Sequence, residues 1–161
     1  GSLYRHTKGI WNKIMGMTVR SYRKKLDTTK YKEGICRVGF FEGSKYEGGK
    51  PVAAVAFWNE FGRGVPPRPF MRPAIHENRS RLIAMLRSNY QKALKDNENT
   101  LNVLERFGLM VQGLIQGQII ATMEPPNAPS TIKRKGFNKP LVDTGVMLAS
   151  VSHQTEEIRK G

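Results

Sequence analysis

The chain has 161 residues, enough for one domain with its own core. It carries 27 Lys and Arg against 13 Asp and Glu, a formal net charge of +14 at pH 7. That balance suits nucleic acid, an acidic protein surface or an assembly with acidic neighbours. No stretch approaches the ~20 apolar residues needed to span a bilayer, no secretory apolar core follows the N-terminus, and the lone Cys36 excludes an internal disulfide framework and a cysteine-based zinc site. The expectation is synthesis in a reducing cytosol.

In chain order, residues 4–26 read as a basic helix. Ile10, Ile14 and Met17 fall on one side, and Arg5, Lys8, Lys13, Arg20, Arg23, Lys24 and Lys25 fill the rest. Residues 34–41 alternate, with Cys36, Val38 and Phe40 opposing Ile35, Arg37 and Phe41, which predicts a strand. Residues 43–49 read as a surface loop or hairpin tip. Pro51 suits a helix start and Gly62 a helix end, so 52–61 is predicted as a short apolar helix with Val55, Phe57 and Phe61 in the core. Residues 74–95 and 101–123 are predicted as long helices. The stripe of the first is Leu82, Ile83, Leu86, Tyr90 and Leu94; that of the second is Leu104, Phe107, Val111, Leu114, Ile115 and Ile119. Asp96-Asn97-Glu98-Asn99 separates them with capping chemistry. Residues 125–141 read mostly as loop, 145–151 as a helical turn, and 151–158 as a last strand or tail. The fold class expected is α+β, a small, mostly antiparallel sheet packed by two long helices and the basic N-terminal helix, in a single domain.

The most informative stretch runs from Asn59-Glu60-Phe61-Gly62 into Pro66-Pro67-Arg68-Pro69-Phe70-Met71-Arg72-Pro73. Pro66, Pro67, Pro69 and Pro73 each fix φ and remove a backbone donor, and each pushes the preceding residue out of the α region. The result is a stiff strap, expected to run extended to Pro73. Read from the residues alone it is either a connector packed on its own domain or a subunit contact. A buried carboxylate needs a partner, so Glu60 is expected to pair with Arg68 or Arg72.

Other features point to chemistry only weakly. Residues 1–32 hold nine Lys and Arg against one Asp, which is either a solvated helix face or a contact with phosphates or an acidic partner. Thr131, Lys133, Arg134 and Lys135 form a second basic patch, either a mobile loop or a loop that orders on assembly. Asp143, Thr144 and Gly145 read as a structural turn in which Asp143 caps the next helical turn. Gly113 and Gly117, as G-x-x-x-G, predict close helix packing. His6, His76 and His153 are scattered. With no phosphate-binding loop, nucleophile elbow or metal-ligand spacing, no catalytic, metal or cofactor-binding residues are expected.

Two segments together carry a resemblance. Asn59–Gly62 with Pro66–Ala74, and then Asn127–Ile132 with Pro140–Gly145, resemble the two markers, in the same order, of phage virion-morphogenesis proteins of the tail-completion (neck, tail-terminator) type. The resemblance implies a structural, non-enzymatic α+β protein. It implies a homo-oligomeric ring, a hexamer, at the top of a virion tail, joining the tail tube to the head connector after assembly in the host bacterial cytoplasm. DNA would pass through the lumen without specific recognition, and no membrane or cofactor would be involved. It implies that Glu60, Arg68, Phe70, Met71 and Arg72 contribute to a subunit interface, and that loops 42–50 and 124–141, with Thr131, Lys133, Arg134 and Lys135, order on assembly. The alternative is a basic nucleic-acid-binding protein that uses the N-terminal helix.

Overall fold

The computed structural model describes residues 13–14, 17–18, 28–122, 125–136, 138, 141 and 145–158. Two short strands, β1 (Lys13–Ile14) and β2 (Met17–Thr18), pair antiparallel. The remainder of the expected basic helix, 4–26, lies outside the described residues. A single 3-10 turn at Thr28–Lys30 leads into β3 (Gly34–Phe40), which pairs antiparallel over its full length with the last strand, β4 (Val151–Glu157). The register runs from Gly34 opposite Glu157 to Phe40 opposite Val151, and Ile158 N–H extends it by donating to the Glu33 carbonyl at 2.8 Å. The fold is therefore α+β, as expected.

A two-stranded ribbon is marginal by itself in water, and here helices supply its cover. Between the strands lie α1 (Val52–Phe61), α2 (Met71–Asp96), α3 (Thr100–Ala121), α4 (Pro129–Lys135) and α5 (Val146–Ser150). Helix α3 rests on both strands, and α2 packs on α3. Val52 and Ala56 of α1, Ala74 and Leu82 of α2, Val111, Ile115 and Ile119 of α3, Met147 of α5 and Val151 of β4 meet in one core. Phe107 and Leu114 pack against it part-buried.

Local chemistry explains the boundaries. Gly62 closes α1 in the left-handed region at φ 73°, as its position predicts. Between α2 and α3, Asn97 takes the left-handed cap at φ 58°, and the Asn99 side chain accepts from Leu101 N–H at 3.0 Å. Buried Thr100 ties this corner to the sheet: its Oγ1 accepts from Lys32 N–H at 2.9 Å and donates to the Lys32 carbonyl at 2.8 Å.

The structure corrects several expectations. Helix α2 begins at Met71, so the extended strap stops at Phe70 and Pro73 sits in the first helical turn, where its missing donor costs nothing. The stripe of α2 is shifted: Leu82 is buried, but Ile83 and Leu94 are exposed, and the close contacts are made by Ala74 and Ala93. Small residues face the neighbouring elements because they approach closely. Phe57 and Phe61 are exposed, at 47% and 52%, while Val52, Ala56 and Glu60 form the buried side of α1. Part of the loop expected over 124–141 is helical, with Pro129 starting α4 and Gly136 ending it at φ 81°. The close packing assigned to Gly113 and Gly117 falls instead at Gly108. A Cβ there would lie 2.6 Å from Cys36 Sγ and 2.8 Å from His153 Cδ2, whereas one at Gly113 or Gly117 would meet nothing within 4 Å. Helix α3 crosses the sheet at Gly108.

Candidate functional site

The strap and the end of α1 form one latched unit. Glu60 lies on the inner side of α1, four residues on from Ala56, so its carboxylate enters the protein at 3% exposure. It meets the open N-terminus of α2, where backbone N–H groups have no helical partner. One carboxylate oxygen accepts from Phe70 N–H at 2.7 Å and Met71 N–H at 3.0 Å; the other accepts from Arg72 N–H at 3.0 Å and Arg72 Nε at 2.9 Å. The Arg72 guanidinium also donates from Nη2 to the Glu60 carbonyl at 2.7 Å. Burial acts to raise the Glu60 pKa and is the largest single influence; the three backbone N–H groups and Arg72 together outweigh it and hold the carboxyl below its ordinary value. A side chain ten residues away thus caps α2. Phe70, the cap residue itself, has no capping side chain.

This arrangement decides between the two expected partners of Glu60. Arg72 is the one. Arg68 turns the other way: its Nε donates to the Pro125 carbonyl at 2.7 Å and its Nη2 to the Pro126 carbonyl at 2.8 Å. Its own N–H donates to the Asn59 carbonyl at 2.7 Å, so the strap is fastened to the last turn of α1 as well. Burial pushes the Arg68 pKa down. Phe70 is fully buried and meets Phe40 edge-on, with ring centroids 6.0 Å apart. Met71 packs part-buried against the core. Of the residues expected at a subunit contact, then, Glu60, Arg68 and Phe70 have their side chains engaged inside the chain. Arg72 remains 60% exposed and stands 4.8 Å over the Phe61 ring.

Outside this latch lies an apolar ridge, of which Phe57 and Phe61 were expected in the core. Phe57 and Phe61 pack ring to ring at 4.9 Å on the solvent side of α1, beside half-exposed Trp58. Val65 in the following loop and Ile75 in the first turns of α2 are exposed too. A signal existed in the sequence: Val52, Ala56 and Glu60 share a helical face that excludes Phe57 and Phe61. Only the packing shows that this face, with its carboxylate, is the inner one.

Between α1, the strap and α4 lies a groove of about 800 Å³, which Val65 also lines. Thr131, Arg134 and Lys135 line it, together with Lys50, Arg68 and Asn127; Lys133 of the expected basic patch is exposed outside it. The 42–50 loop reaches the groove through Tyr46, Glu47 and Lys50 and is closed by Tyr46 N–H donating to the Lys50 carbonyl at 2.9 Å. Gly145 begins α5 at φ 77°, whereas Asp143 and Thr144 lie outside the described residues. Among the described residues no three His, Cys, Asp or Glu side chains come together, and no helix is long and apolar enough to cross a membrane. His153 sits on β4 with Nδ1 2.7 Å from Gln112 Oε1 and Nε2 3.0 Å from Glu105 Oε1, an arrangement that ties the strand to α3.

No protein-family model matches the chain, no curated protein matches it, and no solved structure matches it.

Proposed function

We propose that the protein is a structural subunit of a tailed-phage virion, a ring-forming neck or tail-completion protein that joins the tail tube to the head connector. Two things support this reading. The first is the resemblance of Asn59–Gly62 with Pro66–Ala74, and of Asn127–Ile132 with Pro140–Gly145, to the markers of that family. The second, which carries most weight, is how the first marker is built. Glu60 and Arg72 lock α1, the strap and α2 into one rigid body, and that body presents Phe57, Trp58 and Phe61 outward. Exposed aromatic residues beside an arginine are the composition of a protein contact. Ring closure needs such a contact held at a fixed angle, since a repeated heterologous interface closes only for one rotation. Glu60, Arg68 and Phe70 would then shape the interface from within, while Arg72 and the aromatic ridge make it.

The test is particle mass by light scattering over a range of concentration and at two salt levels. The expected result for the native chain is growth toward one discrete ring mass, and for Phe57→Asp with Phe61→Asp a monomer of unchanged circular dichroism. A native chain that stays monomeric at every concentration, and binds DNA with a steep salt dependence, would instead favour the nucleic-acid-binding alternative.

A further inference from the structure

We propose that the groove between α1, the strap and α4 is a docking site for an acidic, extended peptide segment of a partner protein. The starting observation is Arg68. It is only 8% exposed, its guanidinium meets two neutral carbonyls, Pro125 and Pro126, and no carboxylate among the described residues pairs with it. A guanidinium keeps its charge, and a charge removed from water with only neutral partners is costly. The same strap shows the contrast: Glu60 is as deeply buried and is met by an opposite charge and three N–H groups. Among the described residues the buried anion meets an opposite charge and the buried cation does not.

The surroundings are cationic as well. Lys50, Arg134 and Lys135 line the same groove, and among its described lining residues Glu47 is the one carboxylate. Asn127 adds a side-chain amide nitrogen that is buried without an acceptor. An anion entering here offsets the cost already present at Arg68, so binding gains from both contact and relief of an existing penalty.

The walls identify the kind of anion. Val55, Val65, Pro66, Leu141 and Met147 line the groove with the cations, and beside them lies the Asn59 side chain, whose Nδ2 donates to the Val55 carbonyl at 2.9 Å. Apolar walls with a few amides and cations suit a peptide that alternates carboxylate and apolar side chains. A nucleic-acid backbone is met instead by rows of exposed cations on its phosphates, with aromatic faces for unpaired bases. The inference does not depend on ring formation, since a monomer contains the whole groove.

The experiment uses the full chain and fluorescence anisotropy. The probes are a labelled decapeptide alternating Glu and Leu, its Gln-Leu counterpart, and a labelled oligothymidylate. Three variants accompany the native protein: Lys50→Glu and Val65→Asp, both exposed and lining the groove, and Arg87→Glu, exposed on α2 outside it. The Glu-Leu peptide is expected to bind roughly tenfold more tightly than the Gln-Leu peptide, and Lys50→Glu and Val65→Asp each to weaken it roughly tenfold. Arg87→Glu, which changes net charge by the same amount as Lys50→Glu, is expected to stay within roughly twofold, as a distant exposed charge does at physiological salt. Equal binding of the two peptides overturns the proposal. So does equal loss in Lys50→Glu and Arg87→Glu, which marks attraction by net charge alone. Tighter binding of the oligothymidylate, lost in the same groove variants, overturns it in favour of a nucleic-acid site. Ring formation in the light-scattering test is read separately, so either idea can fail without the other.

Discussion

Glu60→Gln probes the latch directly. The substitution keeps size and one oxygen, removes the charge, and turns an NH₂ group toward backbone donors. Four hydrogen bonds end on the native carboxylate, three from backbone N–H groups and one from Arg72 Nε. Loss of charge assistance weakens those that survive by about 1 kcal/mol each, and a buried N–H left without an acceptor costs about 1–3 kcal/mol. Arg72 contributes little further, because its side chain is 60% exposed and rehydrates. The expected loss is about 3–4 kcal/mol at pH 7, which for a domain of this size lowers Tm by roughly 10 °C.

The pH dependence has a definite sign. The folded Glu60 carboxyl titrates below its unfolded value, so the unfolded chain takes up the proton first as pH falls. The stabilisation is complete above about pH 4.3 and is lost as pH drops through the folded pKa. Urea unfolding of the native chain and the variant at pH 7 and across the acid range checks both points. The gap between the two proteins is expected to be full at pH 7 and to shrink below about pH 4.3. A variant within about 0.5 kcal/mol of the native chain at pH 7, the range of an ordinary surface change, would refute the reasoning. A gap that does not shrink in acid would refute the electrostatic part alone.

Other outcomes follow from the same geometry. Gly108→Ala places a methyl group 2.6 Å from Cys36 Sγ where α3 crosses the sheet, and denaturant unfolding is expected to register a loss of about 1–3 kcal/mol. Gly113→Ala on the same helix meets nothing within 4 Å and is expected to stabilise by about 0.5–1 kcal/mol; equal effects at the two positions would contradict the crossing point. Asn99→Ala removes the side-chain cap on Leu101 N–H and is expected to cost about 1 kcal/mol in the same assay. Arg68→Met withdraws the donors that hold the Pro125 and Pro126 carbonyls. Limited trypsin digestion is then expected to cut faster at Lys133 and Arg134 of α4, and unchanged protection would show that α4 is held by other contacts.

By itself the sequence determined the elements whose chemistry is local. Alternation at Cys36, Val38 and Phe40 fixes a strand, Gly62 ends α1, and the capping residues of Asp96–Asn99 separate α2 from α3, because each depends on a few neighbouring backbone groups. The apolar stripe of α3 was legible for the same reason, since Leu104, Val111, Ile115 and Ile119 recur at helical spacing and are buried, whereas Leu109 and Ile120 fall off that spacing and are exposed. That Glu60 needs a cation was also legible, because a buried carboxylate has few tolerable environments. Tertiary structure decided the rest. Which arginine answers Glu60 depends on where α2 begins, and α2 begins at Met71 because Glu60 supplies the cap that the strap lacks. Which face of α1 turns inward depends on the same latch, so Phe57 and Phe61 were misread as core. Whether Gly108 or Gly113 marks the close crossing depends on where the sheet passes beneath α3, a long-range contact that helical spacing does not encode. The partners of Arg68 are of this kind too, because they are two carbonyls, Pro125 and Pro126, that come from far along the chain.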